Sequence, residues 1–130
     1  MHINKKNLVE ILNNIKSIAL IGASSNPERD SFKVMEFLID QGYEVFPVNP
    51  NEIDNKILGK KCYSSIEAIK QNIDMVDIFR SKEHVYKITQ SALAKGIKVI
   101  WTQEGIFDED DGTHNPYSKR IFRSVCLFSS

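Results

Sequence analysis

Along the chain, short apolar runs alternate with segments whose apolar residues recur every three or four positions. Ser17–Ile21 is one such run, closed by Gly22; it is too short for a helix and predicts a central strand buried on both faces. Ahead of it, Leu8, Val9, Ile11, Leu12 and Ile15 recur near helical spacing and predict a short leading helix over residues 5–14. Behind it, Phe32, Val34, Met35, Leu38 and Ile39 predict the apolar face of a helix ending near Gln41, with Asp30 or Ser31 as N-cap and Gly42 just past the end. Residues 43–48 predict a second strand, bounded by Pro47 and Pro50. This strand–helix–strand unit closes within about 32 residues, the size of a βαβ crossover.

The alternation continues. Residues 51–61 are polar and lysine-rich and predict a loop, residues 61–63 a short strand, and residues 65–69 a short helix capped by Ser64. Residues 74–79 predict a strand. Val85, Ile88, Ala92 and Leu93 then fall on one face of a helix capped by Ser81 and closed by Gly96. Residues 97–101 predict a further strand, with Trp101 in the core. Residues 107–119 lack apolar periodicity and predict a loop, and residues 121–128 a closing strand. The whole pattern predicts an α/β fold of three layers, a mostly parallel sheet of about five strands with helices on both faces. It forms a single domain over residues 1–130, irregular from about 107 onward.

Composition narrows the partners more than the fold. Lys and Arg total 17, as do Asp and Glu, giving a formal net charge of zero. That balance argues against nucleic acid or an anionic membrane as the main partner, while leaving room for a small anion met by a few local donors. No apolar stretch long enough for a signal peptide follows the first residues, and no run reaches membrane-spanning length. With only Cys62 and Cys126 as thiols, the expectation is a cytoplasmic protein with free cysteines.

The candidate chemistry gathers at the ends of the predicted strands. Gly22-Ala23-Ser24-Ser25-Asn26-Pro27 joins a strand to a helix start, the arrangement that turns backbone N–H groups toward a phosphate. It is not the dinucleotide fingerprint, because Ser24 and Pro27 stand where the second and third glycines belong. Gly22 makes the turn, and the Ser24 and Ser25 hydroxyls add donors that glycine lacks. An NAD enzyme normally carries a carboxylate at the end of the second strand; here Val48-Asn49-Pro50 comes first and no acid appears before Glu52. Asn49 suits a ribose or base instead, with Pro47 and Pro50 as a stiff wall for an adenine. The same turn departs from the serine-hydrolase elbow, since Asn26 replaces its second glycine and only His84 and His114 offer a base. Arg80, ending a strand on the same edge, is placed to clamp a phosphate, and Gln103-Glu104-Gly105 falls on that edge too. The acidic residues 108–111 miss the register of a calcium loop, no Cys/His spacing suggests zinc, and no pair of carboxylates reads as acid and base.

Taken together, Ile18-Ala19-Leu20-Ile21-Gly22-Ala23-Ser24 with Pro27 and Arg29, residues 38–45, Phe46-Pro47-Val48-Asn49-Pro50, Ile57-Leu58-Gly59, Val76-Asp77-Ile78-Phe79-Arg80 and Trp101-Thr102-Gln103-Glu104-Gly105 resemble the small stand-alone CoA-binding domain family. That family is related to the amino-terminal domain of the succinyl-CoA synthetase α-subunit, and the resemblance covers about residues 8–107. It implies a Rossmann-like sheet that binds coenzyme A or an acyl-CoA at its C-terminal edge, without a catalytic set of its own. The implied cofactor-binding residues include Gly22, Ala23, Ser24, Ser25, Pro27, Arg29, Ser31, Val48, Asn49 and Pro50, with the pyrophosphate over residues 22–24 and the adenosine near Asn49 and Pro50. Phe79, Arg80, Gln103 and Gly105 would lie along the pantetheine arm. The family pattern continues with a regular helix and an Asp-Arg-Cys ending, from which residues 108–119 and Arg123-Ser124-Val125-Cys126 depart. On the residues alone, two rival readings stay open: an NAD(P)-dependent oxidoreductase, and a regulatory or scaffold domain acting through a protein partner.

Overall fold

A five-residue strand that shields nothing and is shielded on every side organises the molecule. The computed structural model describes Glu10 and residues 13–97, 99–102 and 125–127. Strand β1, Ser17–Ile21, is buried along its whole length. It pairs in parallel with β2, Glu44–Val48, on one side, from Ser17 opposite Glu44 to Ile21 opposite Val48. On its other side lies β5, Met75–Ile78, also parallel, from Ile18 opposite Met75 to Ile21 opposite Ile78. Strand β6, Val99–Thr102, extends the sheet in parallel, and β7, Val125–Leu127, closes it antiparallel to β6. The order is β2-β1-β5-β6-β7. Between β2 and β5 the chain forms a small antiparallel hairpin, β3 (Lys56–Ile57) and β4 (Lys60–Lys61), and two 3-10 turns at Pro50–Glu52 and Ile66–Ala68.

Side-chain alternation sends each strand's residues to two separate cores. Ile18, Leu20, Val45, Met75 and Trp101 pack with Val34, Met35 and Leu38 of helix α1, Asp30–Asp40. Ala19, Ile21, Phe46, Val48, Val76, Ile78 and Ile100 pack on the opposite face with Ala92 of helix α2, Lys82–Ala94, and with Ile66, Ile69 and Ile73. These are the three layers expected, with α1 on one face and α2 on the other. An unbroken apolar run was required at β1 because neither of its faces meets water.

Helix α1 ends as its sequence predicts. Gln41 is the C-cap, Gly42 takes φ +99°, its N–H donates to the Ile39 carbonyl, and the Tyr43 N–H donates to that of Leu38. This is a Schellman closure, which needs the left-handed conformation that glycine adopts without strain. The chain leaves α2 through the same pair of bonds, from Gly96 to Leu93 and from Ile97 to Ala92.

The structure differs from expectation at several element boundaries. The N-cap of α1 is Arg29 rather than Asp30 or Ser31, and it makes no side-chain cap bond. Strand β2 runs through Pro47, which an edge strand tolerates because the missing N–H breaks no interior ladder. The strand expected at 61–63 is divided into β4 and a bridge from Tyr63 to Val48. Ser65, not Ser64, precedes the 3-10 turn at Ile66–Ala68. Glu10, Asn13 and Asn14 are helical, while the rest of the expected leading helix and the 107–119 loop lie outside the described residues.

The Leu20 side chain is fully buried at the centre of the α1-facing core. Leu20→Ala is therefore expected to cost about 2–5 kcal/mol of unfolding free energy, read from a urea titration. A loss below about 1 kcal/mol, well under the usual range for a buried leucine, would contradict this placement of β1.

Candidate functional site

The strand order reverses at β1. From β1 the chain passes through α1 to β2 on one side, then returns across the sheet to β5 on the other. The loops leaving β1 and β5 therefore diverge above the carboxyl edge, and a crevice opens there, the usual ligand position in open α/β sheets. It is a cleft of about 570 Å³. Its walls bring together Gly22, Ala23, Ser24, Arg29, Ser31, Asn49, Phe79 and Arg80, all expected from sequence, with the carboxylates of Glu28 and Asp30 at its border.

Gly22 sets the depth of the cleft. Its φ is +87°, and a Cβ built there would lie 2.5 Å from the Phe79 carbonyl oxygen and 3.2 Å from Arg80 Cδ. The Phe79 N–H donates to the Ile21 carbonyl at 2.7 Å, so the ends of β1 and β5 are locked together beneath it. A side chain at 22 would meet backbone that cannot yield, as well as backbone strain of its own. The close approach also lays the aliphatic stem of Arg80 across Gly22.

The turn after Gly22 is built by hydrogen bonds that decide which donors remain. The N–H groups of Gly22 and Ala23 both donate to the Val48 carbonyl, at 2.9 and 3.2 Å. Asn49 braces the same region: its Nδ2 donates to the Ala23 carbonyl at 2.8 Å, and its Oδ1 accepts from the Asn51 N–H at 2.9 Å. Ser24 Oγ accepts from the Asn26 N–H, Asn26 Oδ1 accepts from the Glu28 N–H, and the Arg29 N–H donates to the Asn26 carbonyl. The first helical bond of α1 runs from the Lys33 N–H to the Arg29 carbonyl. The earlier N–H groups thus have no carbonyl acceptor within the helix, and the side chain of the N-cap residue Arg29 makes no bond to them. They carry the positive end of the helix dipole to the cleft, where Ser31 is buried and Arg29 and Arg80 stand close by.

Two residues expected at the site are turned to other tasks. The Ser25 N–H and hydroxyl both donate to the Glu52 carboxylate, at 2.8 and 2.9 Å, and Asn55 Nδ2 donates to the same group at 3.0 Å. Pro27 lies beside Phe32 and Phe37 on the outer side of α1. Gln103 and Gly105 lie outside the described residues, as do Glu104 and His114. Cys62 is buried with its thiol toward the Asn49 carbonyl, and burial raises its pKa, so it is a packed core residue.

A second cavity of about 250 Å³ adjoins the first on the α2 side of the sheet, and Gly22 and Arg80 border both. Val48 and Pro50, also expected from sequence, line this one rather than the first. So do residues that sequence reading left out: Ser64, Ser65, Ile66 and Glu67, and His84, Lys87, Ile88 and Ser91 of α2. The signal for the α2 set was present in its spacing, since 84, 87, 88 and 91 fall on one helical face. Ser24 lines the first cavity and His84 the second. Among the described residues, no group of three or more His, Cys, Asp or Glu side chains could hold a metal ion, and no helix is long and apolar enough to cross a membrane.

The Ser25–Glu52 tie sets a pH dependence. The Ser25 N–H, then Asn55, hold the Glu52 carboxyl below the ordinary glutamate range, against a smaller opposing effect of burial. The folded state prefers the ionised form, so the tie contributes above that range and is lost as pH falls through the depressed value. The Ser25 amide resonance is expected to shift across that acidic interval in the wild type and to stay flat in Glu52→Gln. A Ser25 amide that titrates identically in both proteins would show that Glu52 does not hold the loop.

Comparison with known proteins gives this geometry a context. Residues 16–111 match the family described as CoA binding domain. The chain is 38% identical over 107 residues to the uncharacterized protein YneT of Bacillus subtilis, covering 82% of this chain and 78% of that one. It is 35% identical over 96 residues to the alpha subunit of ADP-forming acetate–CoA ligase I of Pyrococcus furiosus; that match takes in 71% of this chain but spans only 21% of the ligase subunit. Among solved structures, a hypothetical protein from Pyrococcus horikoshii aligns with a TM-score of 0.75 at 41% identity, over 78% of this chain and 70% of that one. With a Rossmann-like sheet, a cleft at its switch point and a family match through both loops that form the cleft, this chain belongs to the CoA-binding domain family, homologous to the corresponding part of ADP-forming acetate–CoA ligase alpha subunits.

Proposed function

We propose that this protein binds coenzyme A or an acyl-CoA at the carboxyl edge of its sheet and acts as a binding module without a catalytic set of its own. The observation that carries the reading is the start of α1 opening into the same cleft as Arg29 and Arg80, above a glycine that admits no side chain. A diphosphate needs several N–H donors and local positive charge at close range, and the start of a helix with two arginines beside it supplies both kinds of group. In this reading the Ser24 N–H and hydroxyl, with the first-turn N–H groups of α1, receive the diphosphate, and Arg80 clamps it from the β5 side. The pantetheine arm leaves past Phe79 toward the stretch holding Gln103 and Gly105, and the adenosine lies on the Asn49–Pro50 side. Ser25 acts indirectly, by fixing the loop through Glu52.

The environment after β2 weighs against a nicotinamide dinucleotide. Asn49 stands where the ribose-binding carboxylate belongs, with its amide already committed to Ala23 and Asn51. The next acid, Glu52, turns to Ser25 and Asn55 instead. The stretch shared with this chain spans only 12% to 21% of the ligase relatives, and the ligase reaction is not proposed for it.

Calorimetric titration with CoA, acetyl-CoA, NAD and NADP tests the reading. CoA is expected to bind and both nicotinamide dinucleotides to fail. Arg80→Ala is expected to weaken CoA by about tenfold or more, the worth of a charge-assisted hydrogen bond to phosphate. Gly22→Val, with its fold checked by circular dichroism, is expected to abolish binding. NAD binding in place of CoA would hand the site to an oxidoreductase, and silence with all four ligands would favour a protein partner.

A further inference from the structure

The two cavities at the carboxyl edge share Gly22 and Arg80 but differ in what surrounds them. The larger one holds the start of α1, Ser24 and Arg29. The smaller one has an apolar floor of Ile21, Val48, Ile66 and Ile88, with His84 and Lys87 of α2 at its rim beside Arg80. His84 and Lys87 are three residues apart on an exposed face of the helix, one turn from each other and directly above Ile88. Among the described residues of that lining Glu67 is the carboxylate, and Glu83 beside it interacts with both His84 and Arg80, against the three basic side chains Arg80, His84 and Lys87. Lys95, at the end of α2, donates to the Ile69 carbonyl and ties the helix to the segment carrying Ser65 and Ile66, so the walls of this cavity are held in register.

A ligand whose diphosphate lies in the larger cavity can reach the smaller one with one of its arms, across the border formed by Gly22 and Arg80. The arms of CoA differ in charge. The pantetheine arm is thin and uncharged, whereas the adenosine arm ends in a flat base and a ribose bearing a further phosphate. A compact slot with an apolar floor fits a purine, and cations at its rim are matched only by the arm that carries the extra anion. Resting on the CoA reading above, we infer that the smaller cavity takes the adenosine 3′-phosphate end of the ligand, and that His84 and Lys87 read that phosphate. The protein is then selective for the 3′-phosphorylated cofactor over dephospho-CoA, and the orientation of the bound molecule is fixed by α2. These two residues belong to the helix after β5, whereas the donors assigned to the diphosphate come chiefly from the β1–α1 turn.

The test compares CoA with dephospho-CoA by calorimetry, in the wild type, Lys87→Gln, His84→Gln and the control Lys70→Gln. Lys70 is an exposed lysine that lines neither cavity. The wild type is expected to prefer CoA by about tenfold. Lys87→Gln should bring the ratio of the two dissociation constants toward one, His84→Gln should lower it in part, and Lys70→Gln should keep the wild-type ratio. Equal affinities in the wild type would overturn the inference and leave the CoA reading intact. A Lys87→Gln protein that weakens both ligands equally would also overturn it, since a phosphate contact must act on only one of them. A wild type that binds neither ligand would overturn the CoA reading itself, a different result from either of these.

Discussion

The contact on which the site depends is the one between residue 22 and the backbone at the end of β5. Where a Cβ would sit there is already a carbonyl oxygen, 2.5 Å away. Glycine lets the last residues of β1 and β5 stay side by side while the two loops part immediately above them. The separation is not flexible slack: the Phe79 N–H fixes the β5 end to Ile21, and the N–H groups of Gly22 and Ala23 fix the β1 end to Val48. Three neighbouring strands thus terminate at one level, and whatever sits in the cleft rests on backbone. The packing beneath is equally constrained, because β1 divides its side chains between two cores and has no solvent face to absorb a misfit.

Above that floor, function is a matter of which polar groups the fold consumes. The turn from Gly22 to Arg29 spends most of its N–H groups on its own shape, through Val48, Ser24, Asn26 and Glu52. Ser24 and the start of α1 border the same cleft. A residue such as Ser25 illustrates the division of labour. It looks like a phosphate donor by type and position, yet both its donors hold the Glu52 carboxylate, and those charge-assisted hydrogen bonds stiffen the loop that presents its neighbours. Asn49 does the same from the β2 side. Supporting residues of this kind keep the remaining donors aimed, which a ligand would otherwise have to do at a cost in affinity.

Much of this was legible in the sequence because local chemistry dictated it. The unbroken run at 17–21 could only be a doubly covered strand, Gly42 and Gly96 marked helix ends, and strand–helix alternation gave the layers and the mostly parallel sheet. Eight of the cleft residues were nameable because they sit within two motifs, after β1 and after β5, and at the end of β2. What stayed hidden depended on side-chain orientation or on contacts far apart in the chain. The pairing of Ser25 with Glu52 joins residues 27 positions apart, and no spacing rule announces it. The N-cap shifted to Arg29 because the Asn26 and Ser24 turns, not a side-chain cap, deliver the chain into α1. The α2 face at His84 and Lys87 carried a helical period, but only the sheet order places that face over the β1 and β2 ends.

The most direct test of this account is an amide chemical-shift map of the isotope-labelled full chain titrated with CoA. The account predicts that the largest shifts fall on Gly22, Ala23, Ser24, the first turn of α1 and Arg80, with little change at the Lys56–Lys61 hairpin or on the outer face of α1. Shifts confined to those outer surfaces, or no shifts at saturating CoA, would contradict it.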